Sequence, residues 1–187
     1  MKIAVVGASC SGKTTVARRL AEHYGVPHVE LDALHWGPNW TPCPTEEFRV
    51  RVQQALTSAG WVADGSYHGK LGNSVLEQAD YAVWLDLPFR TVVGRVWTRT
   101  MRRIRNREEL WNGNRENWRE AFLSRDSLFV WIVTSHRARR RRYLGRSDRF
   151  EFVRLRSQRE IDSWLESVRP EPARPTPPPT SVLPSSG

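Results

Sequence analysis

The chain has 187 residues, 39% of them hydrophobic, enough for one buried core with appendages and too few to make two full-sized domains the expectation. No apolar run approaches the roughly 18 residues of a membrane span, "MKIAVVGAS" is too short for a signal peptide, and two cysteines, Cys10 and Cys43, make no disulfide framework, so a cytoplasmic protein with reduced thiols is expected. The net charge of +9 rests almost wholly on arginine, since only Lys2, Lys13 and Lys70 of 29 basic residues are lysine; such a surface attracts polyanions without choosing among them.

In chain order, Lys2 to Val6 reads as a short buried strand and Lys13 to Tyr24 as a helix with Val16, Leu20 and Tyr24 on one face. Gly25 and Pro27 end that helix, and "HVELD" reads as a second strand closing at Asp32. "ALHWGPNWTPCP" has too much Pro, Gly and Trp for regular structure. A third segment opens at Thr45 as N-cap, with Glu46 and Glu47 in the first turn, and stops at Gly60. "WVADGSY" and "YAVWLDLP" are two more strands, with room between them for a single short helix in "GNSVLEQA". An arginine-rich helix follows from Pro88 to Arg107, then a break at "ELWNGNRENW", then a helix from about 127 to 142. "FEFVRL" gives a fifth strand, and "SQRE" is a capping box, Ser157 with Glu160, opening a helix that ends near Val168. Strands alternating with helices imply an α/β fold with a largely parallel sheet covered on both faces. From Pro170 onward, seven prolines in 18 residues leave almost nothing to bury, so 169–187 reads as a disordered Pro-rich tail.

Between the first strand and first helix stands G-x-x-x-x-G-K-T: Gly7, Ala8, Ser9, Cys10, Ser11, Gly12, Lys13 and Thr14. Such a loop turns successive backbone N–H groups inward at a helix N-terminus, which suits the phosphates of ATP. Lys13 is then expected to bridge the β- and γ-phosphates, Thr14 to place its hydroxyl on Mg²⁺, and Thr15 to reach the α-phosphate. That an arginine-dominated chain keeps one of three lysines here favours the reading, because the position needs a compact point charge.

"GASCSGKTTVARRLAEHYGVPHVELD" resembles the opening of P-loop kinases of the nucleoside monophosphate kinase and shikimate kinase type. It also looks like that of the small adenylate-kinase-related proteins that include those named DNA topology modulation proteins. The likeness runs on through "LHWGPNW", "DGSY", "LDLP", the arginine helix and "RLRSQREID", covering about 1–168. It implies the three-layer P-loop NTPase sandwich with a five-stranded parallel sheet and an arginine-rich lid at about 95–125. It also implies an ATP- and Mg²⁺-dependent phosphotransferase. Related loops often carry glycine at Cys10; a negative φ that accepts the side chain is the expectation here.

Asp32 and Asp64 end predicted strands and so border the ligand crevice of an open parallel sheet. By the resemblance, Asp32 becomes acceptor ligand or general base and Asp64 the carboxylate on the Mg²⁺ side; turn-capping aspartates are the plainer alternative. Asp86, before Pro88, reads as a turn residue, with a Mg²⁺ role as the alternative. Arg95, Arg99 and Arg103 recur every four residues on one helical stripe. The resemblance makes them lid arginines that stabilise charge on the transferring phosphoryl group, against a solvated face as the alternative.

For the acceptor, His35, Trp36, Trp40 and Tyr67 offer stacking and hydrogen bonding, though loop tryptophans also anchor onto cores. Adenylate kinases follow the "DG" with a segment ending in arginine and carry a "TGD…R" segment; this chain has "SYHGK" and no such counterpart. Arg49, Arg51 or Lys70 are left as substitutes for a phosphate clamp, and a hydroxyl acceptor is favoured. "RARRRR" at 137–142 leaves a nucleic-acid-associated ATPase as a second reading, with helix C-terminal cations complementing the dipole as the simpler one. A nucleotide-binding protein without turnover is the third.

Overall fold

The computed structural model describes residues 1–114, 128–146 and 148–168. Of the lid expected at about 95–125, with its tip at "NREELWNGNRE" (106–116), residues 115–125 fall outside the described residues, as does the tail expected from 169.

Five parallel strands stand in the order β2-β3-β1-β4-β5: β1 Lys2–Gly7, β2 His28–Glu30, β3 Trp61–Asp64, β4 Tyr81–Leu85 and β5 Phe152–Leu155. Eight α-helices are described: α1 Lys13–Tyr24, α2 Leu31–His35, α3 Thr45–Ala55, α4 His68–Leu71, α5 Ser74–Gln78, α6 Phe89–Asn106, α7 Leu128–Leu144 and α8 Gln158–Ser167. Alternation along β1 explains the layers. Ile3 and Val5 face a core with Val16 and Leu20 of α1, Val92 and Val96 of α6 and Ile161 of α8. Ala4 and Val6 face the opposite way, toward Leu76, Trp84 and Tyr143. A third cluster around Phe48 and Trp61 seats α3 beside β2 and β3.

The N-cap expected at Ser157 forms, its hydroxyl accepting from the Glu160 N–H at 3.1 Å, while the Glu160 carboxylate reaches back to the N–H of Arg156, one residue before the cap, at 2.8 Å. Other local expectations need correction. β2 ends at Glu30, and Asp32, expected to close that strand, lies in the first turn of α2, which continues through residues 33–35 where irregular structure was expected. Thr45 is the first helical residue of α3, not its cap; Pro44 takes the cap position, and the helix ends at Ala55, short of Gly60. The segment before β4 holds two short helices because Gly72, at φ 59, breaks between them.

The chain passes from β3 to β4 across β1, so the crevice outside the carboxyl ends of β1 and β3 is the topological switch point. The phosphate loop, Glu30 and Asp64 all border it. No described helix is long and apolar enough to cross a membrane.

Candidate active site

The loop between β1 and α1 is shaped by backbone conformations that side chains resist. Gly7 has φ 151, where a Cβ would stand 2.8 Å from the Leu85 carbonyl oxygen, and Gly12 has φ 97. Cys10 corrects the expectation of negative φ: it sits at φ 59, in the left-handed region. The Ser11 N–H donates to the Ala8 carbonyl at 3.2 Å, and Gly12 begins α1 without any side-chain cap. The first-turn N–H groups of Lys13, Thr14 and Thr15 therefore face outward uncapped, which is what an anion at a helix N-terminus requires. Lys13 arches back, its Nζ donating to the Ala8 carbonyl at 2.9 Å. Burial holds its ammonium below the usual lysine range; Asp32 and Asp64 oppose that shift, and the nearby charge of Arg139 adds to it.

Glu30 and Asp64 are register partners at the ends of β2 and β3. Thr14 Oγ1 lies 3.3 Å from Asp64 Oδ1 and 3.5 Å from Glu30 Oε1. Asp64 is 1% exposed, and its other oxygen is 2.7 Å from His28 Nε2. Burial, Asp64 and Asp32 raise the Glu30 carboxyl pKa, while a hydrogen bond from Trp111 opposes the rise. The Thr14 hydroxyl and two carboxylates form an all-oxygen group that fits a hard cation such as Mg²⁺. Among the described residues no three acidic, histidine or cysteine side chains could hold a metal alone. Phosphate oxygens would have to complete such a shell.

Asp32 lies near enough to Lys13 for its charge to act on the ammonium. The Tyr67 hydroxyl donates to Asp32 Oδ1 at 2.5 Å, and the Trp36 side chain hydrogen bonds to Tyr67 in turn. Burial and Asp32 push the Tyr67 phenol far above its usual range, so it stays a donor. Tyr67 and Trp36, expected at the acceptor, thus also fix the orientation of Asp32. His35 is buried against Trp36, Phe48 and Tyr67, and burial, then Lys70, holds its imidazole below the usual range. It packs as a neutral ring and is not open to a ligand. Trp40, half-buried, meets Trp36 and Trp111 edge to face.

Of the stripe arginines, Arg95 reaches the phosphate loop: Nη1 donates to the Ser11 carbonyl at 3.1 Å and Nη2 to Gln158 at 2.6 Å. Arg99 is half-buried with its Nε unpaired, and Arg103 lies 3.9 Å from Glu108. Each of the three substitute cations already has hydrogen-bonding partners. Arg49 pairs with Glu46 and donates to the Lys70 carbonyl, Arg51 pairs with Glu47, and Lys70 donates to the Cys43 carbonyl.

Sequence reasoning passed over Glu30, His28, Trp111, Arg139 and Asn114. Two acids two apart, in "ELD" at a strand end, were the available signal for Glu30; the others converge only through tertiary contacts. Arg139 is buried, and Arg140 with Arg154 pairs with the buried Asp86, so Asp86 anchors two arginines and is more than a turn residue.

A family model described as an AAA domain matches residues 2–33. The cytidylate kinase of Pyrococcus furiosus is 31% identical over 105 residues, 50% of this chain and 55% of that protein. That of Methylobacterium sp. is 54% identical over 35 residues, 19% of this chain and 17% of that protein. The chain therefore spans about half or less of the curated relatives it matches. Shikimate kinase from Bacteroides thetaiotaomicron aligns with a TM-score of 0.56 at 13% identity, over 90% of this chain and 96% of that one. Deoxyadenosine kinase from M. mycoides gives 0.54 at 12% identity, over the same shares. The solved structures show the fold, and the family model and the cytidylate kinases show sequence similarity over part of the chain; in these respects the chain resembles P-loop proteins of the nucleoside monophosphate kinase and shikimate kinase type.

Proposed function

We propose that the protein is an ATP- and Mg²⁺-dependent phosphotransferase whose acceptor is a small hydroxyl compound. The observation that carries the reading is a carboxylate, Asp32, oriented by Tyr67 and acting electrostatically on Lys13 of the phosphate loop. The loop N–H groups and Lys13 hold the phosphates, and Thr14, Asp64 and Glu30 hold Mg²⁺, which supplies charge neutralisation on the phosphate oxygens. Asp32 accepts the proton of the acceptor hydroxyl as that oxygen bonds to the γ-phosphorus and the bond to the ADP oxygen breaks. Arg95, at the loop, is the first arginine to meet the transferring group, with Arg99 and Arg103 behind it on a lid of about 95–125 that belongs to a catalytic domain of 1–168.

A hydroxyl acceptor agrees with the engagement of Arg49, Arg51 and Lys70, since a nucleotide acceptor needs cations for its own phosphate. Trp36, Trp40 and Tyr67 supply apolar and ring surface for the acceptor. The test is transfer from γ-labelled ATP across nucleosides, nucleoside monophosphates, sugars and hydroxy acids. Labelled product from an uncharged hydroxyl compound, with none or far less from monophosphates, is expected. Preferred transfer to CMP or AMP would overturn the hydroxyl assignment, and ATP binding without transfer to any acceptor would overturn the kinase reading.

A further inference from the structure

We infer that His28 is a positioning residue that holds the Asp64 carboxylate in the orientation that receives Mg²⁺; this rests on the proposed reading of Thr14 and Asp64 as the Mg²⁺ side of the nucleotide site. His28 belongs to β2 and pairs in register with Val62, two residues before Asp64 on β3. Alternation therefore turns His28 and Asp64 to the same face of the sheet, the α1 side on which Val62 packs. Across that face Nε2 meets Asp64 Oδ2 at 2.7 Å, with side-chain exposures of 21% and 1%.

The two oxygens of Asp64 are thereby divided. Oδ2 is taken by the imidazole, and Oδ1 faces Thr14 Oγ1 at 3.3 Å. A buried carboxylate with one oxygen tied can present only the other, and it cannot rotate to pair both oxygens with the neighbouring Lys13 ammonium. Without the His28 N–H, Oδ2 is left as a buried acceptor without that partner, and the carboxylate is free to turn toward Lys13, whose charge it already feels. Histidine suits this position because its ring reaches across from the next strand, it offers a single N–H at the required distance, and its rigid plane fixes the carboxylate it touches. Partners of this kind, one step removed from the ion, typically change metal affinity by about 10-fold to 100-fold when removed.

The experiment is calorimetric titration of ADP into the full chain, once with Mg²⁺ and once with EDTA, on wild type, His28→Phe, His28→Asn and His28→Gln. Wild type is expected to bind ADP more tightly with Mg²⁺. His28→Phe removes the donor and His28→Asn is too short to reach Asp64; each is expected to lower the Mg²⁺ affinity of the ADP complex by about 10-fold or more. Their ADP affinity in EDTA is expected to stay within about 2-fold of wild type, because the loop N–H groups and Lys13 are untouched. His28→Gln, whose amide reaches as far as the imidazole, is expected to restore most of the Mg²⁺ dependence. A structural role alone would weaken binding equally in both buffers. Equal weakening, or unchanged Mg²⁺ dependence in either loss variant, overturns the inference, and His28→Asn keeps it testable should His28→Phe not fold. Loss of any Mg²⁺ effect in wild type overturns instead the reading of Thr14 and Asp64 on which the inference rests.

Discussion

Cys10 carries a side chain through φ 59, a region that costs a non-glycine residue roughly 1–2 kcal/mol. Cys10→Gly removes that strain but adds freedom to the unfolded chain, so a net gain of up to about 1 kcal/mol in unfolding free energy is expected from urea denaturation. Lys13 is strained electrostatically. Its folded pKa lies below its unfolded value, so the unfolded chain binds more protons between the two. The ligand-free protein therefore bears a constant cost below the folded pKa, and that cost fades as pH rises toward the usual lysine range. Lys13→Ala is accordingly expected to be more stable than wild type at neutral pH, with the difference shrinking as pH rises toward the usual lysine range; denaturant midpoints across that range check it.

At the scale of elements, the turn at Trp111–Gly113 and the turn at Pro38–Trp40 are tied together. Asn114, 4% exposed, donates to the Gly37 carbonyl at 2.9 Å and accepts from the Trp40 N–H at 2.8 Å, and Asn112 reaches the Trp36 carbonyl. The segment leaving the arginine helix is thus fastened to the loop expected to meet the acceptor. Asn114→Ala strands the Trp40 N–H and is expected to cost about 1–3 kcal/mol, with faster hydrogen exchange at Trp40 than elsewhere in the loop. β1, β3, β4, α1 and α6 were legible in the sequence because their periodicity is set by burial on known faces, and glycine or proline marks their ends. α2 was not: five residues show no helical period, and an apolar run ending in an acid reads equally as strand. Thr45 read as a cap because threonine favours that position, yet Pro44 before it already has extended backbone and fills the role. The phosphate loop was legible from residue spacing alone. His28, Trp111 and Arg139 were not, since each reaches the site from an element distant in sequence, and no local pattern distinguishes such a residue from its neighbours.

Across the whole molecule the excess of arginine has internal uses. Arg140 and Arg154 converge on Asp86, whose side chain is 4% exposed, joining α7 to the end of β4 and to β5. Asp86→Ala leaves Arg154, only 22% exposed, without its carboxylate, and a loss of roughly 2–4 kcal/mol in unfolding free energy is expected, Arg140 being half in solvent. In the run at 137–142, Arg139 is buried near Lys13 and Arg140, though exposed, is paired with Asp86, which leaves Arg137, Arg141 and Arg142 as its other exposed cations. The architecture instead directs charge toward one crevice, where Lys13 and Arg95 face Asp32, Asp64 and Glu30 around the phosphate loop. The most direct test of that account is phosphoryl transfer from γ-labelled ATP, with the acceptor found by screening, in wild type and Lys13→Ala. Mg²⁺-dependent labelling is expected in wild type, with a loss of at least about 100-fold in a Lys13→Ala protein that remains folded by circular dichroism. Undiminished transfer by the folded variant would contradict it.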